Sequence, residues 1–249
     1  MFPPFHLEAL GTRTRSARSR YAPFLSARLP WWHWRLFVAF GASVLLLSAA
    51  AMQGVTLTVF SANDGGAGTL RQALFDASSG DTINFATSVN LIDLTSGELL
   101  INKNLTINGP GADKLTVQAA ESLRIFHIAP ASVTATISGL TIQSGRADNE
   151  DGGGILNTGT LTINNCTISS NTTSSNGNGG GIANDGILTI TNSTISGNST
   201  FADQTYGGGI ANTGTLTIAN STISGNGPLF SFNPPPFTAA ALPTLMVAG

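Results

Sequence analysis

Charge is scarce in this chain. Asp, Glu, Lys and Arg make up 10% of its 249 residues, against about a quarter in an ordinary soluble domain, so this is no ordinary α/β enzyme. Cysteine is scarcer still. Cys166 stands alone, which excludes a disulfide within the chain. Its neighbourhood lacks partners for a metal or nucleophile role. It aligns with Ser193 and Ser221 in sister repeats, so it reads as a small residue in a serine-sized slot. Histidine is absent from the body except for His127, which lies in an alternating apolar run and reads as a turn or core-edge residue. Cationic surface is missing too. Residues 1–51 carry six Arg and one Glu, whereas residues 52–249 carry five Lys or Arg against twelve Asp or Glu. An acidic body displaces no counterions from phosphates, which argues against nucleic acid as its partner. Finally, the second half shows no helical period anywhere.

What fills that second half is repetition. GGGILNTGTLTINNCTISSN (152–171), GGGIANDGILTITNSTISGN (179–198) and GGGIANTGTLTIANSTISGN (207–226) run in register, with Ile155, Ile182 and Ile210 spaced 27 and 28 residues apart. Self-similarity at such a period means a solenoid. Short alternations such as Leu161-Thr162-Ile163, separated by Asn and Gly, read as strand, turn, strand. One unit cannot bury a face alone, so copies stack into a continuous core. Period-two reasoning points Leu161, Ile163 and Ile168 inward, with their copies Leu188, Ile190, Ile195, Leu216, Ile218 and Ile223. Thr162, Thr189 and Thr217 then face outward.

Upstream, VTLTVF (55–60) reads as a strand, and Leu70, Ala73, Leu74 and Ala77 mark one face of a short helix. A solenoid end exposes strand edges and needs such a cap. Residues 125–145 form a divergent coil in which Ile137, Leu140 and Ile142 match Ile163, Cys166 and Ile168 at a spacing of 26. The expected architecture is all-β: about five coils over 83–226, a cap over 52–82, and a Pro-rich apolar tail over 227–249. The tail either folds over the open end or is the remnant of a longer solenoid.

The leader has its own logic. Residues 36–52, LFVAFGASVLLLSAAAM, are uncharged, Arg28 and Arg35 precede them, and Ala49 and Ala51 stand at −3 and −1 of a cleavage site after Ala51. That order describes a secretory signal. The rival is an uncleaved anchor, since 17 residues reach the low limit of a membrane span. Both imply export, with membrane contact only through this N-terminal segment.

The combination of VTLTVFSANDGGAGTLRQALFDASSGDTINF with GGGI…LTI…STISGN resembles a group of exported bacterial right-handed parallel β-helix proteins. The GGGI and ISGN elements are similar to the repeat of the polymorphic outer membrane protein family, in which a GG-x-I element is paired with a short motif ending in Asn. The resemblance covers residues 54–226. It implies a pectin-lyase-like solenoid, export, and a structural or adhesive role at a cell surface or in the medium, with glycans or cell-surface components as partners. The chain departs from autotransporting members: after Asn226 only 23 residues follow, too few for a membrane barrel.

A carbohydrate-active enzyme, lyase or hydrolase, is the alternative. Hydrolysis needs paired carboxylates, and uronate elimination needs a base helped by cations. Asp148, Glu150 and Asp151 cluster with Arg146, Asp185 stands where sister repeats carry Thr158 and Thr213, and Asp203 lies in the next loop. These are the candidates for Ca²⁺ binding or an acid–base pair, and otherwise solvated loop charges. GNGGGIAND (177–185) lacks the G-G-x-G-x-D spacing of the Ca²⁺-binding nonapeptide. The paired-Asp, Gly-His-Gly and Arg-x-Lys signatures of pectin-degrading hydrolases are missing, and no cofactor is expected.

Asparagine recurs in three series: Asn157, Asn184 and Asn212; Asn165, Asn192 and Asn220; Asn171, Asn198 and Asn226. Stacked at turns, such side chains bond along the axis as ladders and tolerate left-handed backbone. Five of them begin N-x-S/T triplets, but their in-register recurrence fits turn geometry better than glycosylation. The glycines before each Ile read as relief from crowding between coils.

The leader generates the first prediction. Mass spectrometry of the exported protein is expected to find an N-terminus at Met52; a cytoplasmic protein retaining residues 1–51 would refute export.

Overall fold

The structure is a computed structural model that describes residues 54–120, 122–201 and 206–228, together with the backbone of 245–246. The leader, Asp203 and most of the tail lie outside the described residues.

The chain winds into a right-handed parallel β-helix. Sheet 1 stacks Thr56–Val59, Asp81–Phe85, Leu105–Asn108, Thr134–Ser138, Thr160–Asn164, Ile187–Thr191 and Thr215–Ala219. Sheet 2 runs from Leu91–Leu94 through Thr116–Ala119, Thr141–Gln143, Thr167–Ser169 and Thr194–Ser196 to Thr222–Ser224. Sheet 3 is narrower and begins only at Arg146–Asp148, continuing with Thr172–Ser174, Ser199–Thr200 and Gly227–Pro228. Sheet 4 comprises Leu99–Ile101, Phe126–Ile128, Ile155–Asn157, Ile182–Asn184 and Ile210–Asn212. All pairings among these strands are parallel. The exception is the short strand Leu245–Met246, antiparallel to Thr222–Ser224.

Coils begin at Asp81, Leu105, Thr134, Thr160, Ile187 and Thr215, six where the sequence suggested five. The extra coil comes from the early region. There the period is irregular, as Thr82 pairs Thr106 but Leu105 pairs Ala135, and no glycine block marks the turns. Thr56–Val59 is itself a rung of sheet 1, in register with Thr82–Phe85, so the cap and the solenoid share a sheet.

Alternation builds the core. Leu57, Ile83, Ile107, Ile137, Ile163, Ile190 and Ile218 form one inward column of sheet 1. Ile92, Val117, Ile142, Ile168, Ile195 and Ile223 form its counterpart in sheet 2. The middle members are fully buried, while Leu57, Ile218 and Ile223 at the ends are only partly covered. Each full burial contributes about 1.5–3 kcal/mol. Cys166 fills its serine slot: its N–H donates to Ser193 Oγ at 3.1 Å, as the Ser193 N–H does to Ser221 Oγ. Burial pushes its thiol up to about 11.

Helix α1 (Leu70–Asp76) covers the N-terminal end. Thr69 caps it, its Oγ1 accepting the Gln72 N–H at 3.2 Å, and Leu70, Ala73 and Leu74 turn inward. At its other end, Lys103 Nζ donates to the carbonyls of Phe75 at 2.8 Å and Ala77 at 2.6 Å. A cation there satisfies orphan carbonyls and suits the helix dipole.

One core shared by all coils implies unequal tolerance of charge. Ile195→Asp is expected to cost several kcal/mol, because the charge has no partner inside. Thr189→Asp, on the outer face, is expected to cost within about 1 kcal/mol. Thermal melts measure both, and equal losses would refute a single continuous core.

Candidate functional site

Turns decide which residues reach the surface of sheet 4. Before each of its last three strands the chain passes GGG. The first glycine is left-handed, with φ of 71° at Gly152 and 66° at Gly179. The second has no room for a side chain: a Cβ on Gly153 would lie 2.1 Å from the Thr172 carbonyl oxygen and 2.6 Å from that of Gly180. The backbone therefore packs directly between coils, and the residues flanking the strand stack into two rims.

The outward column between those rims is Leu100, His127, Leu156, Ala183 and Ala211. It is the floor of a trough. Hollows of about 350, 430 and 350 Å³ follow one another along it. They share Glu98 at the first junction and Asp151 and Asp185 at the second. Phe75 lines one end and Tyr206 the other, and both are highly exposed, at 77% and 76%.

Arg124 organises the middle. Its guanidinium is nearly buried and donates to Glu98 at 2.5 Å, to Glu150 at 2.6 Å, and through Nε to the carbonyls of Asp151 and Gly152, both at 3.1 Å. The second Glu98 oxygen meets His127 Nδ1 at 2.9 Å. His127 thus faces outward into the trough rather than sitting at a core edge, since it pairs with outward Leu100 and Leu156. On the near rim, Asp151 accepts from the Asn178 N–H at 2.6 Å, and Asn178 in turn accepts from the Tyr206 N–H at 2.9 Å. On the far rim, Asp185 accepts from the Thr213 hydroxyl at 2.6 Å.

The acidic cluster of the sequence is therefore split. Arg146 and Asp148 pair with each other at 2.7 Å on sheet 3, and the Ser174 hydroxyl donates to Asp148 at 2.5 Å. The Ser174 and Arg146 hydrogen bonds hold that carboxyl below its ordinary range. The turn that follows, left-handed at Asn149 and Gly152, carries Glu150 and Asp151 round to the trough. Asp203 lies outside the described residues. Glu98 and Arg124 escaped the sequence reading, although Glu98, Arg124 and Glu150 are spaced 26 and 26 residues apart, one coil each. That signal was faint because the early coils lack the glycine block. Among the described residues, no group of three or more His, Cys, Asp or Glu is arranged to hold a metal ion.

The asparagines divide by role. Asn157 Nδ2 donates to Asn184 Oδ1 at 2.6 Å, and Asn184 to Asn212 likewise at 2.6 Å. At another corner Asn171 bonds Asn198, and Asn198 bonds Asn226, at 2.9 Å. Asn157, Asn171, Asn184 and Asn198 are fully buried, out of reach of glycosylation. The third series makes no side-chain ladder of its own. Asn165, Asn192 and Asn220 instead supply left-handed turns, with φ of 53°, 50° and 49°.

No family model, curated protein or solved structure matches the chain.

Beyond the head of the trough, Asp64 ties the cap to the first coil. It binds Arg71 at 2.6 Å and accepts the N–H groups of Thr95 and Ser96 at 2.9 and 2.8 Å. Burial opposes its ionisation, but hydrogen bonds from Ser96, Thr95 and Arg71 and the Arg71 charge outweigh it and bring the carboxyl to about 2. A depressed carboxyl stabilises the fold above its unfolded value and loses that effect as pH falls through the folded one. Asp64→Asn is expected to destabilise by about 2 kcal/mol at neutral pH. The gap to the parent protein should close between about pH 4 and pH 2. Urea melts across that range check it; a gap constant with pH would refute the charge-based role.

Proposed function

We propose that the protein is an exported surface or secreted module that holds an extended glycan along the sheet 4 trough without cleaving it. The observation that carries this reading is the trough itself, five rungs long and closed at each end by an exposed aromatic ring, Phe75 and Tyr206. Four inter-strand steps of about 4.8 Å make roughly 19 Å, a length for an extended polymer rather than a small metabolite. Sugar rings present flat apolar C–H faces, and exposed aromatics offer surfaces for stacking them.

Charge narrows the ligand. Glu98, Glu150, Asp151 and Asp185 line the central hollow against the single guanidinium of Arg124. Polyuronates and other polyanions are repelled there, so the favoured chains are neutral or carry ammonium groups, as amino sugars do. The carboxylates also have structural duties: Glu98 and Glu150 are bound to Arg124, Asp151 to Asn178 and Asp185 to Thr213. That supports binding over hydrolysis, which needs two carboxyls free to flank the bond.

One feature favours a catalytic second reading. Glu98 holds His127 at Nδ1 and His127 lines the central hollow, an arrangement in which Nε2 would be the atom to act as a base.

Glycan arrays and degradation assays on the mature protein separate the two. Binding to neutral or amino-sugar polymers is expected, weakened by Tyr206→Ala and, for amino sugars, by Asp185→Asn. Binding confined to polyuronates would refute the trough assignment. Release of reducing or unsaturated ends, abolished by His127→Ala, would replace the adhesive reading with the catalytic one.

A further inference from the structure

The outer face of sheet 1 is as regular as the trough is irregular. Thr56, Thr82, Thr106, Thr136, Thr162, Thr189 and Thr217 pair in register through all seven strands, an unbroken column of threonine. Thr134, Thr160 and Thr215 flank it two residues away along three of the same strands, with Ile187 interrupting them. The outward positions of these strands include no charged residue and no aromatic ring.

The hydroxyls of this column are also free. None of the seven has a hydrogen-bond partner among the described residues. The neighbouring column behaves differently: Asn84, Asn108 and Ser138 bond one another at 3.3 and 3.1 Å, and Thr191 bonds Asn164 at 3.0 Å. One column satisfies itself, and the other presents its donors and acceptors outward.

We propose that this face binds the surface of ice. Threonine is stiff at its first side-chain torsion, so each rung offers one hydroxyl and one methyl in a fixed orientation. Repeated every ~4.8 Å between strands and, on the strands that carry a second outward threonine, every ~6.7 Å along the strand, these groups approach the two in-plane repeats of a prism face of hexagonal ice. An ordered water layer supplies partners to all seven hydroxyls while the methyls occupy its hollows. A protein partner would have to provide a matched donor or acceptor for every one of them, because a buried unpaired hydroxyl is costly. A crystalline polysaccharide would find no ring to stack on. A charged ligand would find no counter-charge.

The test uses the full chain. It is expected to shape single ice crystals and to slow recrystallisation of polycrystalline ice. The triple variant Thr136→Lys/Thr162→Lys/Thr189→Lys should lose both effects while keeping its β-sheet circular dichroism. Thr162→Lys alone serves if the triple variant does not fold, and Asp113→Lys, in the turn between sheets 1 and 2 and outside the column, should retain both effects. A folded parent chain that leaves ice growth unchanged overturns the proposal, as does a folded lysine variant that retains activity. So does loss in those variants of cellulose binding, or of a dimer seen by sedimentation, without any effect on ice.

Discussion

Every feature of this molecule depends on stacking coils in register. In a parallel stack each residue has a counterpart one coil above and one below, at the spacing of paired strands. Whatever a position does is therefore done several times over, side by side. For an inward isoleucine that is simple, since apolar groups pack on apolar groups. For a polar or charged side chain it is demanding. Like charges in a column repel, and an inward amide must find partners in its own column or leave costly groups unpaired. The low charge content of the chain follows from this constraint.

The corners show how it is met. Ile101 and Ile128 begin an inward column of sheet 4 that continues as Asn157, Asn184 and Asn212. An amide both donates and accepts, so a column of asparagines satisfies itself along the axis, and its spare N–H turns to local carbonyls: Asn157 Nδ2 also reaches Ile187 O at 3.1 Å. No buried side-chain nitrogen or oxygen among the described residues is left without a partner. Carboxylates cannot form such ladders, because they only accept. They appear instead singly, each with a donor from an adjacent coil, as Asp151 has Asn178 and Asp185 has Thr213.

The same constraint explains what the sequence discloses. Leu161, Leu188 and Leu216, or Ile168, Ile195 and Ile223, announce themselves because repetition is what the stack requires. The helix face of Leu70, Ala73 and Leu74 was legible for a different reason, a plain change of period. The early coils were undercounted, about five in place of six, because their turns lack the glycine block that marks the later ones. Sheet 3 was missed because its strands are only two or three residues long and no side-chain type runs through all four, RAD, TTS, ST and GP. The trough was least legible of all. Its residues come one per coil from unlike positions, Glu98 before a strand, Arg124 in a turn, Asp185 after one, and only folding brings them to one hollow.

Periodicity and chemistry consequently fall on different faces. Sheet 4 breaks the repeat outside: leucine, histidine, leucine and alanine succeed one another along its floor, and the rims change charge from coil to coil. On the proposed reading, such a surface would distinguish one end of a ligand from the other. Sheet 1 keeps the repeat without exception along its threonine column. A surface of that kind offers a ligand little but its spacing, which is what the proposed contact with ice would use. Selection for stacking alone does not require the second arrangement. The inward isoleucines already set the register, and the adjacent outward column tolerates Thr, Asn, Ser and Ala in the same strands. That neighbouring variation sets the threonine column of sheet 1 apart from the positions beside it, and sheet 2 carries a shorter column of the same kind, Thr116, Thr141, Thr167, Thr194 and Thr222.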